Sequence, residues 1–205
     1  RLSIIGPGRA GTAIAKALAN KGWAILRVAG RSIEHAQPLA EKLGAVACSA
    51  ADVGIGVDLI IISTPDAAIS ETALIVAERA AHGALLIHLA GAKGIEALEG
   101  VRSTRPDLVL GSLHPLQTLS DDNAFEKVQG AFCAVEGPQE IEELAREIGL
   151  TPFSVLPANR SAYHAAAVVA SNHLVALMGQ VERLASSAGV PFEAFAPLSR
   201  AAIEA

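Results

Sequence analysis

Apolar residues fall along the first three quarters of the chain in short, mainly apolar runs. Between the runs lie longer stretches in which apolar positions recur every three or four residues. The runs at residues 2–5, 24–29, 45–48, 58–63 and 84–89 predict strands, and the stretches at 9–21, 33–43 and 66–81 predict helices. None of the runs alternates with period two, so the strands are expected to be covered on both faces, as in a parallel sheet. Strand–helix alternation of this kind specifies a doubly wound α/β fold with a mainly parallel sheet. Three later runs, "LVLGS", "GAFCAVEG" and "PFSVLP", extend the sheet, with a helix at 139–148 between the last two.

After Pro157 the texture changes. Residues 159–187 hold no proline and one glycine, Gly179, and the middle of the stretch is apolar on nearly every face. A helix of that kind needs cover on all sides. A second helix is expected to start near Pro191, after the break at Gly189-Val190-Pro191. The pattern therefore divides the chain into an α/β domain over 1–157 and the start of an all-α domain over 158–205. One and a half helices cannot cover themselves, so the all-α domain is expected to be incomplete in this chain and to pair with a second copy, giving a homodimer.

Half of the residues are hydrophobic (51%), mostly Ala, Val, Ile and Leu, which is ample for a core. No apolar run approaches the roughly 20 residues of a membrane span, since Ser171, Asn172 and His173 interrupt the longest one. A net charge of −5 with scattered Lys and Arg argues against a nucleic-acid surface. Cys48 and Cys133 stand far apart without CxxC spacing and read as ordinary thiols of a reducing compartment. The chain begins inside its first predicted strand, with no signal segment, and a cytoplasmic location is expected.

The first strand runs directly into Gly6-Pro7-Gly8-Arg9-Ala10-Gly11, which fits G-x-G-x-x-G and opens the first predicted helix. In that position Gly6 allows the tight turn, Gly8 lets a diphosphate approach the backbone, and Gly11 lets helix and strand pack closely. The free N–H groups of the helix start then face the phosphates. An NAD site places an acidic residue about 20 positions further on. Here the second strand ends on Gly30, Arg31 and Ser32, with no acid before Glu34. A planar cation and a hydroxyl suit a 2′-phosphate, so the expected cofactor is NADP. Thr64 and Pro65, after the strand at 58–63, are expected to touch it as well. Asp66 reads as an N-cap of the next helix.

"LIHLAGAKG" and "GSLHPLQTL" place His88, His114 and Gln117 at or just past two further strand ends, on the ligand side of an open sheet. His88, inside its strand pattern, reads as a structural histidine, whereas His114 is open between a structural and a functional role. On the long helix, His164 and Ser171 share a face by three-and-four spacing, with Asn172 slightly round from them. Such polar groups are costly to bury without partners. They are expected to pair with one another, with a neighbouring helix or with substrate. His88, His114 and His164 lack the spacing of a metal site, and no metal is expected.

Together, "GPGRAGTAIAKAL", "VAGRS", "HLAGAKG", "GSLHPLQT", "GAFCAVEGP" and "YHAAAVVASNHLVAL" resemble a little-characterised bacterial family. Its members join a Rossmann-like NADP-binding domain to a C-terminal helical domain of unknown function, of the 2520 type. The family is similar in plan to pyrroline-5-carboxylate reductase, prephenate dehydrogenase and the 6-phosphogluconate and 3-hydroxyacid dehydrogenases. The resemblance covers essentially the whole chain. It implies an NADP-dependent oxidoreductase that moves a hydride between NADPH and a small carbonyl or imine, with its active site between the domains and with dimers formed by a longer helical region. On that reading His164 is the first choice of proton donor and Tyr163 the alternative, Ser171 and Asn172 orient the substrate, and His114 or Gln117 closes the site. One departure stands out. Where the family's loop reads His-x-Ser-Gly, this chain has Ala90 in place of the serine, which keeps open a second expectation, a non-catalytic NADP-binding dimeric sensor or regulator.

Overall fold

The structure, a computed structural model, describes residues 1–119 and 125–204. It forms two compact units, Arg1–Ser161 and Ala162–Ala205, where the sequence pattern places the boundary at 157.

In the first unit eight strands form one sheet in the order β3-β2-β1-β4-β5-β6-β7-β8. They are β1 (Leu2–Ile5), β2 (Ile25–Ala29), β3 (Val46–Cys48), β4 (Leu59–Ile62), β5 (Leu85–His88), β6 (Val109–Pro115), β7 (Phe132–Glu136) and β8 (Thr151–Ser154). Strands β1 to β6 are mutually parallel, as the mainly apolar runs predict. β7 then reverses against β6, and β8 runs parallel to β7. From β1 the chain first winds outward to β2 and β3, then returns to the other side of β1 for β4, β5 and β6. Strand order therefore reverses between β1 and β4, where a crevice opens at the carboxyl edge of such a sheet.

Two apolar layers hold the sheet. On one face α1 (Arg9–Ala19) and α5 (Gln139–Glu147) pack Ile14, Leu18, Ile141 and Leu144 against Ile4, Ile61, Leu113 and Val135. On the other, α3 (Ile69–Ala77) and α4 (Glu99–Thr104) pack Ile69, Val76 and Val101 against Ile60, Ile62 and Leu86. β4 lies between both layers, and all four of its residues are buried. Each such isoleucine contributes about 1.5–3 kcal/mol by leaving water. The small residues Gly11, Ala13, Ala15 and Ala17 on the buried side of α1 let its axis approach the sheet. α2 (Ile33–Leu43) covers Val28 through Ala36 and Ala40. It stops at Gly44, whose left-handed backbone (φ 66°) turns its N–H back onto the last carbonyls.

The structure corrects two expectations here. The helix predicted at 66–81 is a 3₁₀ turn, Asp66–Ala68, followed by α3, which ends at Ala77. Asp66 caps nothing. Pro65 holds the N-cap position, and no side chain bonds the free amides at the start of that turn or of α3. The short helix α4 was not expected, because "EGVRST" is too short and too polar to show a period.

The second unit is helical. α6 (Arg160–Val168) starts at the end of the first unit and runs through a π-helical turn, Val169–His173, into α7 (Leu174–Ser187). Val190 and Pro191 break the chain before α8 (Ala196–Glu204). No helix among the described residues is long and apolar enough to cross a membrane.

Candidate functional site

The glycine loop follows β1 at the crevice, and each of its three glycines does a different job. Gly6 has φ +95°, and a Cβ there would lie 2.3 Å from the carbonyl oxygen of Ser63, so both its backbone and its surroundings require glycine. At Gly11 a Cβ would lie 2.8 Å from the Ser63 Cβ, and the Gly11 N–H donates to Ser63 Oγ at 3.1 Å. Ser63, the first residue after β4, thus locks the loop of β1 onto the end of β4. Gly8 differs from both. It is exposed and extended (φ −83°, ψ 174°), and the nearest atom to an added Cβ is Ser63 O at 3.9 Å. Among the described residues no contact requires a glycine there.

Gly8 is also the N-cap of α1 and has no side chain to cap it; Ser63 Oγ meets the Gly11 N–H, and among the described residues no side chain meets the N–H groups of Arg9 and Ala10. The first turn carries no acidic residue either, so the positive end of the helix dipole is left unneutralised. Arg9 is exposed and Ala10 half-buried on that turn, while Pro7 packs its ring toward Gly30, where a Cβ would meet Pro7 Cδ at 3.3 Å. Across the crevice, Thr64 Oγ1 is buried with no hydrogen-bond partner among the described residues, and Pro65 beside it is exposed. A buried hydroxyl left unpaired costs about 1–3 kcal/mol, so a polar ligand group has reason to meet it.

At the end of β2, Arg31 is exposed, and among the described residues nothing holds its guanidinium. Ser32 caps α2 by accepting from the His35 N–H at 3.3 Å. Its hydroxyl also bonds the Glu34 carboxyl, which sits below the usual carboxylate range for that reason first. His35 was not foreseen, and its Nδ1 lies 2.8 Å from where a Gly30 Cβ would stand.

His88 closes β5 and is fully buried. Its Nδ1 accepts from the Ala90 N–H at 3.2 Å, which leaves Nε2 to donate to the Gly94 carbonyl at 2.9 Å. Burial pushes its pKa down, so the ring is neutral and holds the loop that follows. This is the structural role its place in the strand predicts. His114 was expected just past a strand, but it lies within β6, half-buried and opposite Ala134. β6 overshoots its neighbour, since His88 at the end of β5 pairs with Ser112, three residues before the end of β6. Gln117 is exposed beyond it.

In the helical unit, the spacing argument for His164, Ser171 and Asn172 needs correction. The π turn adds one residue to the helix, so residues beyond it are turned back by about 100° relative to a regular helix. Ser171 Oγ donates to the Ala167 carbonyl at 2.6 Å and stands 3.5 Å from Asn172 Oδ1. Its hydroxyl proton is thus committed to its own helix. Asn172 is exposed, and His164 and Tyr163 are half-buried and engaged. π turns concentrate at functional sites, and this one carries Ser171 and Asn172. Among the described residues, no three His, Cys, Asp or Glu side chains cluster to hold a metal ion.

Comparison with known proteins bears on the fold and on the class of cofactor. Residues 1–91 match the family model described as NADP oxidoreductase coenzyme F420-dependent, and residues 131–205 match that of a domain of unknown function (DUF2520). Among solved structures, the chain is similar to "putative NADP oxidoreductase BF3122 from Bacteroides fragilis", with 26% identity and a TM-score of 0.80 over 96% of this chain and 76% of that one. It is also similar to protein TM1727 from Thermotoga maritima, with 26% identity and a TM-score of 0.67 over 93% and 71% of the two chains. The 1-pyrroline-5-carboxylate reductase of Streptococcus pyogenes shares the fold at 21% identity and a TM-score of 0.68, over 99% and 76%. No curated protein matches the chain. Two family models thus meet in this chain, the NADP oxidoreductase model over residues 1–91 and that of the domain of unknown function over residues 131–205.

Proposed function

We propose that this protein is an NADP-dependent oxidoreductase that transfers a hydride between NADPH and a small carbonyl or imine substrate. The observation that carries the cofactor half of this reading is Gly8, where no described residue crowds an added Cβ, standing at the start of α1 beside the uncapped N–H groups of Arg9 and Ala10. A diphosphate seated on that helix end explains both facts, because any side chain at Gly8 would occupy its place. Gly6, Pro7, Arg9, Ala10 and Gly11 complete the cradle. The adenosine ribose then lies over Gly30, with Arg31 on the 2′-phosphate. Ser32 joins it by exchanging the Glu34 carboxylate for the phosphate. Thr64 and Pro65 meet the chain of the cofactor on the opposite side of the crevice. NADPH supplies the hydride, and the protein's own task is to hold the acceptor and deliver a proton. We assign that proton to His164, with Asn172 and Ser171 orienting the substrate and His114 bordering it.

Calorimetric titration with NADPH and NADH tests the cofactor assignment. Arg31→Ala is expected to weaken NADPH by about 10–100-fold, the loss of one charge-assisted contact of about 1.5–3 kcal/mol. NADH affinity should stay within about twofold. Equal weakening of both cofactors would remove Arg31 from the 2′-phosphate. NADPH oxidation followed by absorbance across a panel of small carbonyls and imines tests the reaction. Tight NADPH binding without turnover on any of them would favour the second reading, a non-catalytic sensor, for which the missing hydroxyl at Ala90 speaks.

We further propose that the protein is a homodimer formed through its C-terminal helices. Val175 and Leu184 on opposite sides of α7, each 71% exposed, and Leu198 and Ile203 on α8 leave apolar side chains in water on both helices. Light scattering on the eluting protein should give twice the chain mass, and Leu184→Glu with Val175→Glu should give the monomer. A wild-type monomer at micromolar concentration would overturn this assignment.

A further inference from the structure

Beside the site described above lies a charged cluster around the buried Arg160 that the proposed chemistry does not use. Glu136, the last residue of β7, accepts on Oε2 from Arg160 Nη2 at 2.5 Å and from the Ile95 N–H at 3.1 Å. Arg160 is 95% buried, with a relative exposure of 5%, and among the described residues its Nε and Nη1 have no hydrogen-bond partner. Glu96 Oε1 accepts from the Gly94 N–H at 2.9 Å. Both carboxylates close on Gly94, where a Cβ would stand 2.4 Å from Glu96 Oε2 and 2.6 Å from Glu136 Oε2. With His88 Nε2 on the Gly94 carbonyl, the N–H and C=O of Gly94 and the N–H of Ile95 are all held by side chains.

These bonds act on the loop that leaves β5 at the carboxyl edge, residues 89–95. β5 neighbours β4, and β4 neighbours β1. With the diphosphate on α1 and the adenosine toward β2, the other half of the cofactor extends across the ends of β4 and β5. The pinned loop is therefore what receives the nicotinamide half.

We infer that Glu136, with Arg160 as its counter-ion, is a positioning residue that fixes the loop at residues 89–95 for the nicotinamide half of the cofactor. This rests on the cofactor reading given under Proposed function. A buried guanidinium whose carboxylate is removed is left uncompensated, and the loop loses the acceptor that holds Ile95. The adenosine end, on the far side of β1, has no share in these bonds.

The experiment compares NADP⁺ with 2′,5′-ADP, which carries the adenosine and its 2′-phosphate but no nicotinamide. In the whole chain, Glu136→Gln should raise the dissociation constant of NADP⁺ about tenfold and leave that of 2′,5′-ADP within about twofold. Retained 2′,5′-ADP binding also shows that the variant is folded. Arg160→Lys, which keeps a cation but not the planar fork, should move NADP⁺ in the same direction by a smaller factor. Parallel weakening of both ligands would make Glu136 merely structural and overturn the inference, as would no change in either. A wild-type chain that binds neither ligand would overturn the cofactor reading itself, and this inference with it.

Discussion

His164→Ala is expected to lower turnover by about 10²–10⁴-fold, the usual worth of a general acid or base, while leaving the NADPH dissociation constant within about twofold. The imidazole is the side chain whose ordinary pKa lies nearest neutrality, so it delivers a proton without a large driving-force penalty. His164 stands half-buried on α6, and Tyr163 beside it points about 100° away round the helix. Tyr163→Phe separates the two candidates, because turnover should survive it if His164 is the donor. The cofactor loop belongs to the other unit, so a catalytic His164 leaves NADPH affinity untouched. Equal loss of turnover and affinity in His164→Ala would instead mark a structural histidine. Steady-state kinetics with any accepted substrate, together with NADPH titration, reads both quantities.

The second large effect separates two glycines of one loop. Gly6→Ala is expected to destabilise the first unit by about 3 kcal/mol or more. A left-handed backbone costs an alanine about 1–2 kcal/mol, and its Cβ would stand 2.3 Å from Ser63 O, with overpacking adding about 1–3 kcal/mol. At this chain length that lowers the melting temperature by about 6–12 °C. Gly8→Ala meets neither obstacle, since its backbone is extended and the nearest atom lies 3.9 Å away. It should leave the melting temperature unchanged or slightly raised, and weaken NADPH by about 100-fold because the methyl stands where the diphosphate does. Thermal unfolding and calorimetric titration of the two variants give the comparison. A Gly8→Ala chain that binds NADPH normally would remove the diphosphate from this helix end.

Much of the fold is legible in the sequence because its strands are buried on both sides. "LSII" and "DLIII" can only be central strands, and the glycine loop between β1 and α1 then follows from position. Ser32 and Gly44 mark both ends of α2 by local rules of capping. What stays hidden is long-range or aperiodic. The reversal of β7 leaves no mark in "FCAVE", since an apolar strand reads the same in either direction. The π turn is invisible to a three-and-four count, because the added residue shifts the phase without changing the composition. Asp66 resembles a cap only until Pro65 takes that position and the chain starts with a 3₁₀ turn. In the candidate site, the glycine loop is legible because its residues are consecutive at a strand–helix junction, and the exposed position of Arg31 because it directly follows an apolar strand. Ser63 was missed as the group that locks two strand ends together, although its place directly after an apolar run was a usable signal. Glu136 and Arg160 gave none, because a contact between residues 24 apart is set by where β7 and the segment after β8 end.

The π turn at Val169–His173 has a consequence for how the helical region tolerates change in length. Loss of one residue within it would leave a regular α-helix, with better backbone bonding than before. The same loss would swing Leu174–Ser187 through about a quarter of a circle relative to His164. Substitutions at Val169 and Ala170 should be absorbed by the helix, whereas a single-codon deletion, though it makes a straighter helix, would misalign Val175 and Leu184 with the groups that precede them.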